Sequence, residues 1–146
     1  MIGVKFVREG AKMPWRADAG SSGWDVHAAE GAIIPAGRWR MVPTGLACDI
    51  PEFFEIQIRP RSGLAAKFGV TVLNSPGTVD SSYTGEIQVI LINHSVDSYH
   101  VRAGDRIAQF VVARLVPEGA GVNGFEQVDA LKVTDRGAGG FGHTGV

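Results

Sequence analysis

The chain has 146 residues, the length of one ordinary domain with its own core, and a formal net charge of −1. That balance excludes a binder that grips nucleic acid through a broad basic face, which works by displacing many counterions. A single cysteine, Cys48, excludes a disulfide framework and a cysteine-rich metal site, and agrees with a reducing compartment.

In chain order, Met1-Ile-Gly-Val-Lys-Phe-Val-Arg8 sets a charge within each short apolar run, so it reads as a strand, Val4–Val7, and not as a signal peptide. No apolar run approaches the roughly 18 residues of a membrane helix, so the expectation is a soluble, cytoplasmic protein without a membrane partner. Next, Gly20-Ser-Ser-Gly23-Trp24-Asp25-Val-His27 places Asp25 in a glycine-flanked loop entering an apolar run. It reads either as a turn aspartate or as a carboxylate reaching hydrated magnesium, an ion held through one or two carboxylates plus substrate phosphates. Strands follow at Gly31–Ile34, Arg38–Pro43, Leu46–Ile50 and Phe53–Ile58.

Arg59-Pro-Arg61-Ser62-Gly63-Leu64 then opens the one segment that looks helical, Ser62–Phe68, with Ser62 as its cap. It is either a capped helix beside a solvated arginine or an anion-binding turn offering a guanidinium, a hydroxyl and free backbone N–H groups. After a strand at Val70–Leu73 comes Asn74-Ser-Pro-Gly77-Thr78-Val79-Asp80-Ser-Ser82-Tyr83-Thr-Gly85, where Ser75–Thr78 fits a type II turn. The segment is a decorated β-hairpin or a hairpin mouth whose backbone and Asn74 amide pair with a base edge above Tyr83. The remaining strands are Ile87–Asn93, Tyr99–Val101 and Ile107–Arg114, the last entered by a tight turn over Val101–Arg106 and carrying a half-buried Gln109. Glycine and proline punctuate β-branched runs every ~8–12 residues, the pattern of an all-β sandwich or jelly roll.

Composition shifts once, near Asp135, beyond which glycine fills five of the last ten positions. Alone, such a tail reads as a frayed terminus. It contains Gly137-Ala-Gly139-Gly-Phe-Gly142, a literal G-x-G-x-x-G, yet neither the following helix nor the later acidic residue of a dinucleotide site is there. The general physics survives: glycine lets backbone N–H groups approach phosphate oxygens, and Arg136 supplies a cationic fork beside them. His27, His94, His100 and His143 lack zinc-site spacing, and no G-x-S-x-G elbow supports a serine hydrolase.

Taken together and in this order, five stretches resemble the trimeric dUTP diphosphatase (dUTPase) family: Gly23-Trp-Asp25; Pro60-Arg-Ser-Gly-Leu64; Gly77-Thr-Val-Asp80 with Tyr83 and Gly85; Gly104-Asp-Arg-Ile-Ala-Gln109; and Arg136 to Gly145. The resemblance implies a jelly-roll-like β-sandwich over 1–134 and a C-terminal arm, 135–146, that closes over the active site. It implies hydrolysis of dUTP to dUMP and pyrophosphate with Mg2+, in a homotrimer whose sites are built from three chains. Asp80 matches the base that activates water against the α-phosphorus, with Arg61 and Gln109 completing the catalytic set. Arg61, Ser62, Gly63 and Gln109 match phosphate contacts, and Asp25 matches the aspartate that holds magnesium through water. Asn74 with Gly77, Thr78 and Val79 matches the uracil reader, Gln88 the base-pocket strand, and Tyr83 the residue under the deoxyribose. Phe141 matches the aromatic stacked over uracil, Arg136, His143 and Thr144 match the γ-phosphate clamp, and Gly142 counts among the arm's substrate contacts.

Trp24, Ser82 and His143 depart from the usual family residues, which touches fine tuning and removes no catalytic group. Two alternatives share the fold. A dCTP deaminase would need an acid on the strand after the hairpin, where Gln88-Val-Ile-Leu-Ile-Asn-His94 offers none. The other is a nucleotide-sensing regulatory module with catalysis lost or secondary; the presence of Asp80, Arg61, Gln109 and Arg136 argues against loss.

Overall fold

The computed structural model describes residues 1–117 and 124–139. The chain divides into two units, Met1–Val116 and Pro117–Val146, and every named element lies in the first. The elements are β1 (Gly3–Phe6), β2 (Trp24–His27), β3 (Ala32–Ile34), β4 (Trp39–Asp49), β5 (Phe54–Arg59), α1 (Ser62–Phe68), β6 (Val70–Val72), β7 (Gly77–Val79), β8 (Ile87–Asn93), β9 (Tyr99–Val101) and β10 (Arg106–Arg114). The strands form two antiparallel four-stranded sheets, ordered β1-β4-β8-β6 and β2-β10-β5-β7, and a separate β3-β9 ribbon. The all-β, jelly-roll-like expectation holds. None of the helices among the described residues is long and apolar enough to cross a membrane.

Period-two alternation builds the core. Along β8, Ile87, Val89, Leu91 and Asn93 are buried while Gln88, Ile90 and Ile92 turn outward and are half-buried. Val42, Leu46, Val89 and Leu91 of the first sheet join Val26, Ile56, Ile58 and Phe110 of the second in one apolar cluster. Burial of each such side chain contributes roughly 1.5–3 kcal/mol, which makes the register costly to slip.

Several local expectations change. Arg38–Pro43 and Leu46–Ile50 are one strand, β4, broken only by a bulge between Pro43 and Leu46. Pro43 can stand inside a strand because it borders the bulge. There the Thr44 hydroxyl donates to Ile87 O at 2.6 Å and accepts from Leu46 N at 3.2 Å, replacing lost ladder bonds. Gly45 takes φ +72°, and a Cβ on it would come within 2.7 Å of Ala11 Cβ.

Asp25 lies on a strand, β2, and not in a loop, because Val26 is buried against the core and Trp15 bridges back to Asp25. Ser62 is the first helical residue, while extended Arg61 occupies the N-cap and makes no side-chain cap bond. The type II turn at Ser75–Thr78 does not form: the Ser75–Pro76 peptide is cis, and Gly77 begins β7 without a positive φ.

The hairpin is replaced by an excursion between sheets. β6 and β8 pair in the first sheet, whereas β7 pairs with β5 in the second. Val79 is buried opposite Ile56, so apolar burial pulls β7 away from its sequence neighbours. The tight turn before β10 is as expected, with Gly104 at φ +85° and Asp105 Oδ2 accepting from Arg102 N at 2.8 Å.

Asn93, fully buried at the end of β8, satisfies every polar atom it brings inside. Its Nδ2 donates to Ile34 O at 2.9 Å and Asp97 O at 2.8 Å, and its Oδ1 accepts from Ser95 N at 2.9 Å and Ser95 Oγ at 2.7 Å. An Asn93→Leu variant strands these partners and is expected to lose about 2–4 kcal/mol of stability in urea denaturation.

Candidate active site

The excursion of β7 leaves a cleft of about 240 Å³ between it and β8. Asn74, Gly77, Thr78, Val79, Asp80, Tyr83 and Gln88, all expected at a nucleoside site, line it together with Met41, Ile58, Glu86, Ile87 and Ile90. β7 is an edge strand whose second side is unpaired in its sheet, so its backbone N–H and C=O groups are available to a planar polar ligand. Gly77 is needed there, since a Cβ would lie 3.2 Å from both Asn74 Nδ2 and Ile58 Cβ. Asp80 is exposed at the mouth of the cleft. Tyr83 lies against Gly85, where a Cβ would stand 2.7 Å from the phenolic oxygen.

A second group forms on β2, β10 and the approach to α1. Asp25 Oδ1 accepts from Arg61 Nε at 2.9 Å, and Asp25 Oδ2 accepts from Arg106 Nη1 at 3.0 Å. Arg61 Nη1 also donates to Arg106 O at 3.1 Å. Two guanidiniums on one carboxylate leave the group net cationic, which answers how a chain of charge −1 can offer a local anion site. Burial, and then Lys12, push the His27 imidazole below its ordinary pKa, and His27 Nδ1 is buried without a hydrogen-bond partner among the described residues.

Gln109 is half-buried, as expected, and its Nε2 donates to Pro60 O at 2.9 Å, tying β10 to the segment that carries Arg61. Gly23 permits this packing: a Cβ there would fall 2.0 Å from Gln109 Oε1. Ser62 and Gly63 are exposed beside Arg61. The bulky Trp24 is accommodated half-buried on β2, with the Arg16 guanidinium 4.5 Å from its ring centroid.

For a divalent ion, Asp25 is one carboxylate whose oxygens each accept one N–H and keep a lone pair for a metal-bound water. Among the described residues no cluster of three or more His, Cys, Asp or Glu could hold a metal alone. This donor set fits an ion that arrives with phosphates, not a closed protein cage.

The cleft and the cationic group sit towards opposite edges of the second sheet, β7 against β2, and no hydrogen bond or ion pair among the described residues joins them. In the second unit, Arg136 is exposed and its Nε donates to Gly139 O at 2.8 Å. Phe141, Gly142, His143 and Thr144 lie outside the described residues. A larger cavity of about 480 Å³, walled by Ile2, Val4, Trp24, Phe54, Ile56 and Phe110 among others, has almost no polar surface to orient a nucleotide.

Comparison with known proteins gives the family and agrees with the fold. The dUTPase family model matches residues 9–145. The chain belongs to the dUTPase family. A deoxyuridine 5'-triphosphate nucleotidohydrolase of Wolinella succinogenes is 52% identical over 135 residues, covering 92% of this chain and 87% of that protein. One from Nautilia profundicola is 46% identical over 142 residues, covering 97% and 96%. The solved structure of Staphylococcus bacteriophage 80alpha dUTPase with dUPNHPP superposes with a TM-score of 0.86 at 25% identity, covering 100% of this chain and 99% of that one.

Two residues of these sites, Arg106 and Glu86, and one outside the cleft lining, Arg8, had no role assigned from sequence. Arg106 stood in the turn before β10 and in the Gly104–Gln109 stretch with no role of its own, and its pairing with Asp25 spans 81 positions. Glu86 and Arg8 were not singled out, although Arg8 holds Glu86 through Nε–Oε1 at 2.9 Å and Nη2–Oε2 at 2.8 Å. The hydrogen bond from Arg8 is the main cause that holds the Glu86 carboxyl below the usual range. Its folded pKa being depressed, the stabilisation is complete above an unfolded value of about 4.3 and is lost as pH falls through the lower folded value. The Glu86→Gln variant is therefore expected to be less stable near neutral pH but to lose less stability on acidification below about pH 4.3, as read from denaturation midpoints.

Proposed function

We propose that the chain hydrolyses dUTP to dUMP and pyrophosphate by attack of water on the α-phosphorus, limiting uracil incorporation into DNA and supplying dUMP for dTTP synthesis. The observation that carries this reading is the cleft between β7 and β8, where an unpaired strand edge, Asn74, Asp80 and Tyr83 meet. Uracil pairs with the β7 backbone around Gly77 to Val79 and with Asn74, and Gln88 flanks it from β8. A backbone that donates where uracil accepts leaves cytosine mispaired, and unpaired polar groups discriminate strongly. Tyr83 packs under the deoxyribose and leaves no room for a 2′-hydroxyl.

Asp80 orients and deprotonates the attacking water; a placed carboxylate needs no large basicity for this. Arg61, Ser62, Gly63 and Gln109 bind the phosphates. Phosphoryl transfer depends on charge neutralisation and in-line placement more than on covalent chemistry. Magnesium bound with the triphosphate would neutralise phosphate charge, and Asp25 would hold it through water. Asp25 also orients Arg61 through their ion pair. The arm, 135–146, closes over the substrate, with Phe141 on the base, Arg136, His143 and Thr144 on the terminal phosphate, and Gly142 among the substrate contacts. A cytoplasmic location accompanies this reading.

The separation of Asp80 from the Arg61–Asp25–Gln109 group within one chain supports a shared site in a homotrimer, one copy supplying the nucleoside cleft and another the phosphate group. Pyrophosphate release should be fast with dUTP and magnesium, and weak with dCTP, dTTP, UTP or a chelator; comparable release from dCTP or UTP would overturn the substrate assignment. Asp80→Asn should lower kcat about a hundredfold or more while leaving dUTP binding near normal, with stopped-assay kinetics and calorimetry as the readouts.

Mixing the inactive Asp80→Asn and Arg61→Ala chains offers a separate check on shared sites. Random reassembly should recover about a quarter of wild-type activity, because one site in four draws both intact halves from different copies. No recovery in a mixture shown by mass spectrometry to contain mixed trimers would place each site within one chain.

A further inference from the structure

Among the described residues, Glu86 is the one carboxylate besides Asp80 on the wall of the nucleoside cleft. Its side chain is only 18% exposed and takes three hydrogen bonds. Two come from the Arg8 fork, and the third from Gly45 N at 3.0 Å, the amide freed by the β4 bulge. Arg8 Nη1 also reaches Glu30 at 3.3 Å, a looser contact on a more exposed partner. The backbone of the same residue fixes Tyr83, whose phenol donates to Glu86 O at 2.9 Å. Gly85 lies against the same phenolic end of the ring, where a Cβ would stand 2.7 Å from the hydroxyl oxygen. Tyr83 is 47% exposed and has no aromatic partner among the described residues, so residues 85 and 86 supply much of what holds its orientation.

An ordinary surface ion pair contributes little to stability, because entropy and screening offset the attraction. A bidentate guanidinium–carboxylate pair is instead geometrically demanding. Here it clamps the residue that anchors the tyrosine to a bulge in the neighbouring strand and to the end of β1, where Val7 N donates to Gly45 O at 2.8 Å. We propose that Arg8 and Glu86 form a positioning pair that sets Tyr83 in the cleft and thereby governs rejection of ribonucleotides. This rests on the assignment of Tyr83 as the residue under the deoxyribose.

The test compares kcat/KM for dUTP and UTP in wild type, Arg8→Met, Arg8→Lys, Tyr83→Phe, Tyr83→Ala and the double variant Arg8→Met/Tyr83→Phe, with thermal denaturation of each. Arg8→Met should remain folded, keep dUTP turnover within a few-fold, and lower the dUTP-to-UTP ratio about tenfold. Arg8→Lys, which keeps the charge but not the fork, should lose part of that ratio. The double variant should fall no further than Tyr83→Phe alone, as coupled residues do.

A ratio unchanged in Arg8→Met while Tyr83→Phe lowers it would overturn the proposal. So would additive losses in the double variant, or an equal fall for both substrates with a lowered melting temperature, which marks a purely structural pair. If Tyr83→Ala itself leaves the ratio intact, the sugar-floor assignment fails, and the positioning role fails with it.

Discussion

Residues 70–93 run through three strands that do not stay in one sheet, and the unpaired strand edge this leaves is the constraint on which the site depends. β6 and β8 belong to the first sheet, while β7 crosses to pair with β5 in the second. The crossing is held by burial of Val79 opposite Ile56 and by the close approach that Gly77 allows to Ile58. It exposes one side of β7 and creates the space between β7 and β8. Without the crossing, Asn74, Asp80 and Tyr83 would decorate an ordinary hairpin and enclose nothing.

Charge is organised just as locally. A chain with net charge −1 has no general attraction for a triphosphate, yet Asp25 gathers Arg61 and Arg106 into a cationic group on the far side of the same sheet. The aspartate thus serves two ends in the proposed site, ordering the guanidiniums and leaving lone pairs for a hydrated ion. Gln109 links that group to Pro60 and packs where Gly23 leaves room. The β4 bulge plays the corresponding part at the cleft, because the amide it frees at Gly45 is the one that Glu86 accepts.

Much of this was legible in the chain, though for different reasons. β8 and β9 have the limits their alternation predicts, and α1 spans the expected Ser62–Phe68, although Arg61 and not Ser62 is its N-cap. Three readings failed where local and tertiary preferences conflict. Pro43 and Gly45 look like a strand break, yet the Thr44 hydroxyl repairs the ladder and β4 continues. Ser75-Pro-Gly-Thr78 has type II turn chemistry, yet Gly77 is used for close packing in an extended strand. Asp25 looks like a loop residue by its glycine neighbours, yet pairing with β10 makes it part of a strand. The pairs Arg106–Asp25 and Arg8–Glu86 carry no sequence signal, being 81 and 78 positions apart.

The sequence by itself determined the fold class, the core alternation and the family, because period-two burial, turn residues and five ordered motifs are all local patterns. It also named seven of the residues that line the cleft, Asn74, Gly77, Thr78, Val79, Asp80, Tyr83 and Gln88, through their likeness to a known arrangement. Only the tertiary structure decided that β7 leaves its neighbours, that Asp25 holds two arginines, and that the cleft and the cationic group stand apart on one chain. Those outcomes depend on which strands pair across long separations, and pairing is settled by the total apolar surface the two sheets can bury together, which no short stretch of sequence encodes.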